Sequence, residues 1–493
     1  MPMTLDERLR AILAIDPDGK AIDFEGEWRS WAWVSDVGAR IDMRLAHAGI
    51  APGVPVGLIA RNRAETVAAL FMMLATARPV VMINPLQPPS MLQQDLRSLK
   101  LAAVIADARD WAQDGVVDAA REAGSVGVSL SSEGVALQPG LTEPGPGPHR
   151  DDMADAAIEM LSSGTTGVPK RIKLRRATLA KSMADGLRGE KDGDALTLKR
   201  SPYLLYVPIV HLSGMFAAVF SFFEGRPLVL LEKFTVDGWL QAIRLYRPRF
   251  AGLVPPMVRM ILDAKVAKED LSSLIAVRCG TAALDPDIQQ KFEETYGVPI
   301  LINYGATEFV GAVAGWTLDE HKRYSATKRG SVGRARGDIA LRVVDEITGA
   351  DVPFGETGIL EIRTGRVDTD YVRTTDLAAL DEDGFLYIRG RSDGMIIRGG
   401  FKVSGDTVAA ALLRHPAVSE AVVVGLDDER LGQVPVAAVE LKHGVPVPDE
   451  AELIAFARQC LIPYQVPARI LVCLLYTSPS PRDRTRSRMP SSA

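Results

Sequence analysis

Continuous apolar runs alternate along the chain with stretches whose apolar positions recur every three or four residues. Residues 54–60 (VPVGLIA) are followed by the helical pattern of 64–77 (AETVAALFMMLATA), then by 79–85 (PVVMINP) and 101–107 (LAAVIAD). Runs without polar alternation fit strands buried on both faces, and such strands separated by helices predict a covered parallel sheet. The Pro/Gly stretch 142–150 (TEPGPGPHR) predicts a linker that closes this first region. A second α/β series follows, with strand-like runs at 156–161, 226–232, 250–256, 274–280 and 298–305. After Gly330 apolar positions alternate with turn residues through 339–363, and 381–400 is rich in glycine, as in antiparallel hairpins. Residues 406–428 read as a helix and then a strand. The predicted fold class is α/β: a large N-terminal region of α/β subdomains plus a small antiparallel sheet, then a small α+β C-terminal domain. The boundary falls near Asp393, giving residues 1–392 and 393–472. No internal repeat is visible.

The chain of 493 residues exceeds one ordinary core, in keeping with more than one domain. Its formal net charge of −5 offers no electrostatic reason to expect nucleic acid. Cys279, Cys460 and Cys473 lie far apart and match neither a zinc nor a disulfide pattern, so reduced thiols and a cytoplasmic location are expected. The start of the chain carries acids and no long apolar segment, unlike a secretory signal. From Tyr203 to Phe223 no acid, Lys or Arg occurs. Pro208, His211, Ser213 and Gly214 interrupt that run, so a buried strand, a turn and a buried helix are expected rather than a stable membrane span. Residues 473–493 are rich in Ser, Pro and Arg and show no strand or helix period.

Residues 161–170 read LSSGTTGVPK. Gly164 and Gly167 free backbone N–H groups to face an anion, and Ser162, Ser163, Thr165 and Thr166 add hydroxyl donors. Lys170 adds a positive charge. A phosphate cradle and a polar surface turn both fit this loop alone. Residues 302–309 (INYGATEF) follow an apolar strand and place Tyr304, Gly305, Thr307 and Glu308 at its end, where open α/β sheets bind ligands. Asp376 lies in RTTDLA, and Arg391 and Asp393 lie in GRSDG shortly after.

Together these segments resemble the adenylate-forming superfamily, which includes acyl-CoA synthetases, aryl-CoA ligases, peptide-synthetase adenylation domains and firefly luciferase. The family patterns Ser/Thr-Ser-Gly-Thr-Thr-Gly-x-Pro-Lys, Tyr-Gly-x-Thr-Glu and Gly-Arg-x-Asp are met at 162–170, 304–308 and 390–393. Weaker matches lie at 45–53, 279–286 and 399–408, so the likeness runs from about residue 20 to about 472. The resemblance implies the adenylate-forming fold and two half-reactions. A carboxylate attacks the α-phosphate of ATP and expels pyrophosphate; a thiol then attacks the acyl-adenylate and releases AMP. It implies that the 162–170 loop holds the β- and γ-phosphates, that Glu308 is a ligand of Mg2+ and that Thr307 contacts the α-phosphate. It places Tyr304 and Gly305 on one side of adenine, with Gly280, Thr281 and Ala282 on the other. It gives Asp376 the ribose hydroxyls, with Arg391 reaching the same ribose and phosphate region, and makes Asp393 the hinge of the small domain.

The implied activity is ATP-dependent ligation of a small-molecule carboxylic acid to coenzyme A. No acid occurs in 207–216, where amino-acid-activating relatives pair the substrate ammonium, so the acid lacks an α-amine. His211 would border the acyl pocket, with Met215, Phe216, Val254 and Val310 as walls for a fatty or aryl acid. A carrier protein acting in trans is the alternative acceptor, and a catalytically impaired acyl-AMP-binding protein is a third reading. That third reading arises because the family's C-terminal catalytic lysine has no match: no lysine follows Lys442. The abrupt change of composition suggests that residues 473–493 do not belong to the native reading frame. Two smaller departures are Thr375, where the family has Gly, and Arg171, which opens the basic run Arg171, Lys173, Arg175 and Arg176. That run reads as a solvated edge, with a CoA phosphate as its other reading.

Overall fold

The protein is seen in a computed structural model that describes residues 3–162, 170–187, 195–365, 370–392, 394–442 and 445–473. Five sheets organise the described residues. The first has seven strands in the order 134–137, 126–131, 103–107, 56–59, 80–83, 156–162 and 170–175. Its inner strands are parallel and both edges are antiparallel. Val56–Ile59 and Val80–Ile83 are buried at every position, as the uninterrupted apolar runs require. Helices cover both faces. Trp31–His47, Ala64–Ala75 and Leu212–Phe223 build the larger core, and Pro89–Leu99 with Val116–Glu122 builds the other.

The stretch 142–150 does not close the first region. Ala156–Ser162 returns to pair in parallel with Val80–Ile83, so the strand beyond the linker completes the sheet before it. Sequential punctuation by Pro and Gly marked a surface crossing, and the long-range pairing overrode it.

The second sheet joins the N-terminus to the middle of the chain. Lys20–Phe24 pairs in parallel with Leu228–Leu230, which pairs with Tyr203–Leu205. The stretch 203–223 is a strand, a turn and the helix Leu212–Phe223, and no helix among the described residues is long and apolar enough to cross a membrane. Phe222 packs edge-on against Phe71 and Trp31, with ring centroids 4.4 and 5.3 Å away. Each such aromatic pair contributes about 0.5–1.5 kcal/mol beyond area burial. Asn62, which is buried, ties the first sheet to the turn. Its amide donates to the carbonyls of Val207 (3.2 Å) and Leu231 (3.3 Å), and its oxygen accepts from the Ile209 N–H (2.9 Å).

The third sheet runs Phe250–Leu253, Ala276–Cys279, Ile300–Ala306, Gly311–Gly315 and Arg334–Ala335. The fourth is an antiparallel set of Ala340–Val344, Gly358–Arg363, Val372–Leu380 and Leu386–Arg391, the hairpins expected after Gly330. The fifth, from Ile396 onward, packs the helices Gly405–Leu412 and Glu450–Cys460 over one face.

Candidate functional site

Tyr304 leaves the third sheet and Asp376 and Arg391 leave the fourth, and the three side chains meet. Antiparallel pairing forces the last two together, because Asp376 and Arg391 are direct partners in the ladder. Arg391 donates from its guanidinium to the Asp376 carboxylate at 2.9 Å. The Tyr304 hydroxyl donates to the other carboxylate oxygen. Asp376 is 8% exposed, so these charge-assisted bonds sit largely out of water. Burial, reinforced by the Asp376 charge, pushes the Tyr304 phenol well above its ordinary range and keeps it a neutral donor.

The 279–283 loop packs against the strand that carries Tyr304. A Cβ on Gly280 would lie 2.3 Å from the Asn303 side-chain oxygen, so a larger residue there would have to displace that side chain. Thr281 follows with φ +73°, a left-handed conformation that a threonine rarely holds. Cys279 is buried, and desolvation raises its thiol to about 12, so it is inert packing. Gly305 allows the tight return of the hairpin, where a Cβ would meet the Gly311 carbonyl oxygen at 2.3 Å.

Beyond Ala306 the chain makes a 3-10 turn, Thr307–Phe309, on which Glu308 is exposed. One carboxylate in solvent, beside phosphate oxygens, is a donor set suited to a magnesium ion. Val310 closes the turn at φ +53°, and its carbonyl accepts a hydrogen bond from Ser182. Ser182 lies on the helix Arg176–Leu187, which follows directly from the strand Lys170–Arg175. The helix Arg176–Leu187 and the turn that carries Glu308 are thereby fastened to each other. Ser162 and Lys170 pair at the ends of their strands. Ser163, Gly164, Thr165, Thr166, Gly167 and Asp393 lie outside the described residues, as do residues 474–493 and the side chains of Ser162, Lys170 and Thr307.

His211 caps the N-terminus of Leu212–Phe223 and faces the fifth sheet. Its ring centroid is 5.0 Å from Phe401 and 6.3 Å from Tyr464, which stack on one another at 4.4 Å. Its Nε2 atom is buried without a hydrogen-bond partner, and desolvation brings the imidazole down to about 4 from 6.5. The unfolded chain binds the proton near 6.5 and the folded chain resists it until about 4, so stability is full above 6.5 and falls as pH drops through that window. Between pH 7.5 and 5 the expected loss is up to about 2 kcal/mol. Urea midpoints at the two pH values check this, and His211→Phe should remove most of the difference.

Phe216 sits beside Gly311, 3.5 Å from where a Cβ would be, and Met215 and Val310 are buried in the same core. Val254 stands at the N-cap position of the helix Pro255–Asp263. Within the basic run, Arg171 donates to the Met82 carbonyl (3.2 Å) and to Asp95 (3.2 Å). Lys173 pairs with Asp152, and Arg176 donates to the Ala77 carbonyl at 2.9 Å. These three side chains brace the fold.

A cleft of about 480 Å³ separates Leu86, Gln87 and Pro88, in the loop after the inner strand Val80–Ile83, from Arg398, Arg458 and Pro463 of the last domain. Ser90 also meets the Gln459 carbonyl across it, at 3.3 Å. No sequence pattern marks this cleft. Arg398 beside the glycine pair 399–400 was the nearest signal.

Residues 10–371 match the AMP-binding enzyme family, and residues 407–477 match the AMP-binding enzyme C-terminal domain. The chain is 31% identical over 340 residues to "Peroxisomal OPC-8:0-CoA ligase 1" of Arabidopsis thaliana, covering 64% of this chain and 60% of that protein. The chain thus spans 60% of the length of the first curated relatives it matches. It is 29% identical over 486 residues to a 2-succinylbenzoate–CoA ligase of Geobacillus kaustophilus (strain HTA426), covering 95% of this chain and 94% of that one. Among solved structures, a double mutant of o-succinylbenzoate CoA synthetase from Bacillus subtilis, bound with its product analogue, shares the fold at TM-score 0.78. It is 22% identical and covers 95% of each chain.

Proposed function

The chain belongs to the AMP-binding enzyme family, and from that premise we propose that it is an ATP-dependent carboxylic acid–CoA ligase. The observation that carries this reading is the meeting of Tyr304, Asp376 and Arg391 from two sheets. A buried carboxylate held by a phenol and a guanidinium is a pre-oriented acceptor for a vicinal diol, with a cation beside it for phosphate. In this reading Tyr304 and the 279–283 loop flank the base, and Asp376 accepts the ribose hydroxyls. A magnesium ion held by Glu308 would neutralise polyphosphate charge. The substrate carboxylate is already ionised, so the protein's task at the first step is to position it and to balance charge on the α-phosphate, not to remove a proton. Pyrophosphate leaves as the acid–phosphate bond forms. In the second step a thiol sulfur attacks the acyl carbon, the acyl–oxygen bond to AMP breaks, and the thiol proton passes to solvent.

The acid is a fatty or aryl carboxylic acid. His211, Phe216 and Val310 supply an apolar site without an acidic partner for an ammonium. Coenzyme A is the acceptor favoured over a carrier protein, because the cleft beside Arg398 and Arg458 offers positive charge within reach of the Phe401–His211 contact. Replacing Arg458 with Ala should raise KM for CoA about fivefold and leave KM for ATP unchanged, as measured by steady-state kinetics. Residue 393 is the proposed pivot on which the last domain turns between the half-reactions. ATP–pyrophosphate exchange over a panel of carboxylic acids, followed by CoA and a pantetheinylated carrier as competing acceptors, tests the whole reading. Exchange with no acid would refute ligation, and thioester on the carrier alone would refute CoA.

A further inference from the structure

Thr375 occupies a position where the Gly of the motif offers no side chain, and its hydroxyl is engaged. One terminal nitrogen of Arg391 donates to the Thr375 Oγ1, while the other donates to Asp376 at 2.9 Å. The guanidinium is therefore spanned by two neighbouring side chains, 375 and 376, which hold separate nitrogens of its planar fork. The Arg391 side chain is only 9% exposed. The backbone around this pair is fixed independently. The Thr375 carbonyl accepts from the Ser392 N–H at 2.8 Å and from its hydroxyl at 3.2 Å. The neighbouring Thr374 hydroxyl donates to the Leu360 carbonyl at 2.8 Å and accepts from the Asp376 N–H at 3.1 Å. Removing the Thr375 side chain thus leaves this main-chain frame intact and takes away one acceptor of a buried cation.

We propose that Thr375 is a positioning residue that fixes the Arg391 guanidinium in the plane needed to meet the nucleotide. Each further nitrogen of a planar guanidinium that is held narrows the directions it can face. Asp376 and Thr375 hold different nitrogens, so Thr375 narrows the orientations that the Asp376 contact permits. The inference rests on the nucleotide reading above and adds a residue to it.

The test is ATP binding by calorimetry, together with steady-state kinetics, on the full chain and on Thr375→Ala, Thr375→Gly and Thr375→Ser. Ala and Gly should raise KM and Kd for ATP about tenfold with kcat and the acid KM within twofold, and Ser should restore wild-type values. In an Arg391→Ala background, Thr375→Ala should add nothing further, since the residue acts through that arginine. Thermal melts of all variants within a few degrees of wild type exclude unfolding as the cause. Equal ATP affinity in wild type, Ala and Gly variants overturns the positioning role alone. A wild-type chain that binds no ATP overturns the nucleotide reading and this role with it. An undiminished effect of Thr375→Ala without Arg391 shows a merely structural role and also overturns it.

Discussion

Asp376→Ala is expected to lower kcat/KM for ATP about a hundredfold or more and to lower the melting temperature together with it. Two causes act in one residue. The carboxylate is the proposed acceptor for the ribose diol, and it is also the acceptor that holds the Tyr304 hydroxyl and the Arg391 guanidinium in place. Breaking a buried ion pair from one side costs about 3–5 kcal/mol, because the surviving charge stays desolvated. Asp376→Asn separates the causes. An amide oxygen still accepts from one donor and fills the same volume but does not balance the Arg391 charge, so only part of the stability should return while the loss for ATP remains above tenfold. Calorimetric melts and ATP-dependent kinetics on both variants check the pair. An Asp376→Ala protein with unaltered ATP kinetics would remove the fourth sheet from the site.

The second large effect is expected at Gly400. Its φ is +89°, and a Cβ there would lie 2.6 Å from the Thr281 hydroxyl oxygen. Thr281 is itself held at φ +73°. The loop of the last domain thus closes on the 279–283 loop through two residues in left-handed conformation, and the contact exists only because one of them has no side chain. A left-handed alanine costs roughly 1–2 kcal/mol, but that strain belongs to the turn of the hairpin 396–403 and is present wherever the domain sits; the overlap adds about 1 more only where the contact forms. Gly400→Ala should therefore lower the melting temperature and slow thioester formation from preformed acyl-adenylate about fivefold. Pyrophosphate exchange should stay within twofold, since the first half-reaction is proposed to use another placement of this domain. Single-turnover thioester assays beside exchange assays read the two steps separately. Thr281→Ala in the same chain should recover the thioester rate, which the overlap lowers, and leave the loss of melting temperature, which the backbone causes.

Much of this was legible in the order of residues. The runs at 54–60 and 79–85 are strands because nothing polar interrupts them, and both are fully buried. Pro208 falls in the turn that breaks the long apolar run 203–223 into strand and helix, whereas Gly214 lies within the helix Leu212–Phe223. Tyr304, Asp376 and Arg391 were assigned to one ligand by resemblance, and the ladder pairing of Asp376 with Arg391 brings two of them together by register alone. What sequence could not display was pairing between distant segments. Nothing local in 142–150 says that the next strand returns to the sheet before it. Nothing in 86–88 announces that Arg398 and Arg458 stand opposite. Thr375 looked like a departure from pattern until its hydroxyl was seen to hold Arg391.

The amide of Asn62 grips the backbone on both sides of Pro208, a few residues ahead of His211 and the wall at Phe216. Position 62, outside all the motif segments, thereby sets where the turn ahead of His211 sits. In the proposed reading that turn borders the acid, and selectivity among acids is then retuned from behind it. Libraries meant to widen or narrow the substrate range should vary position 62 alongside the proposed pocket residues.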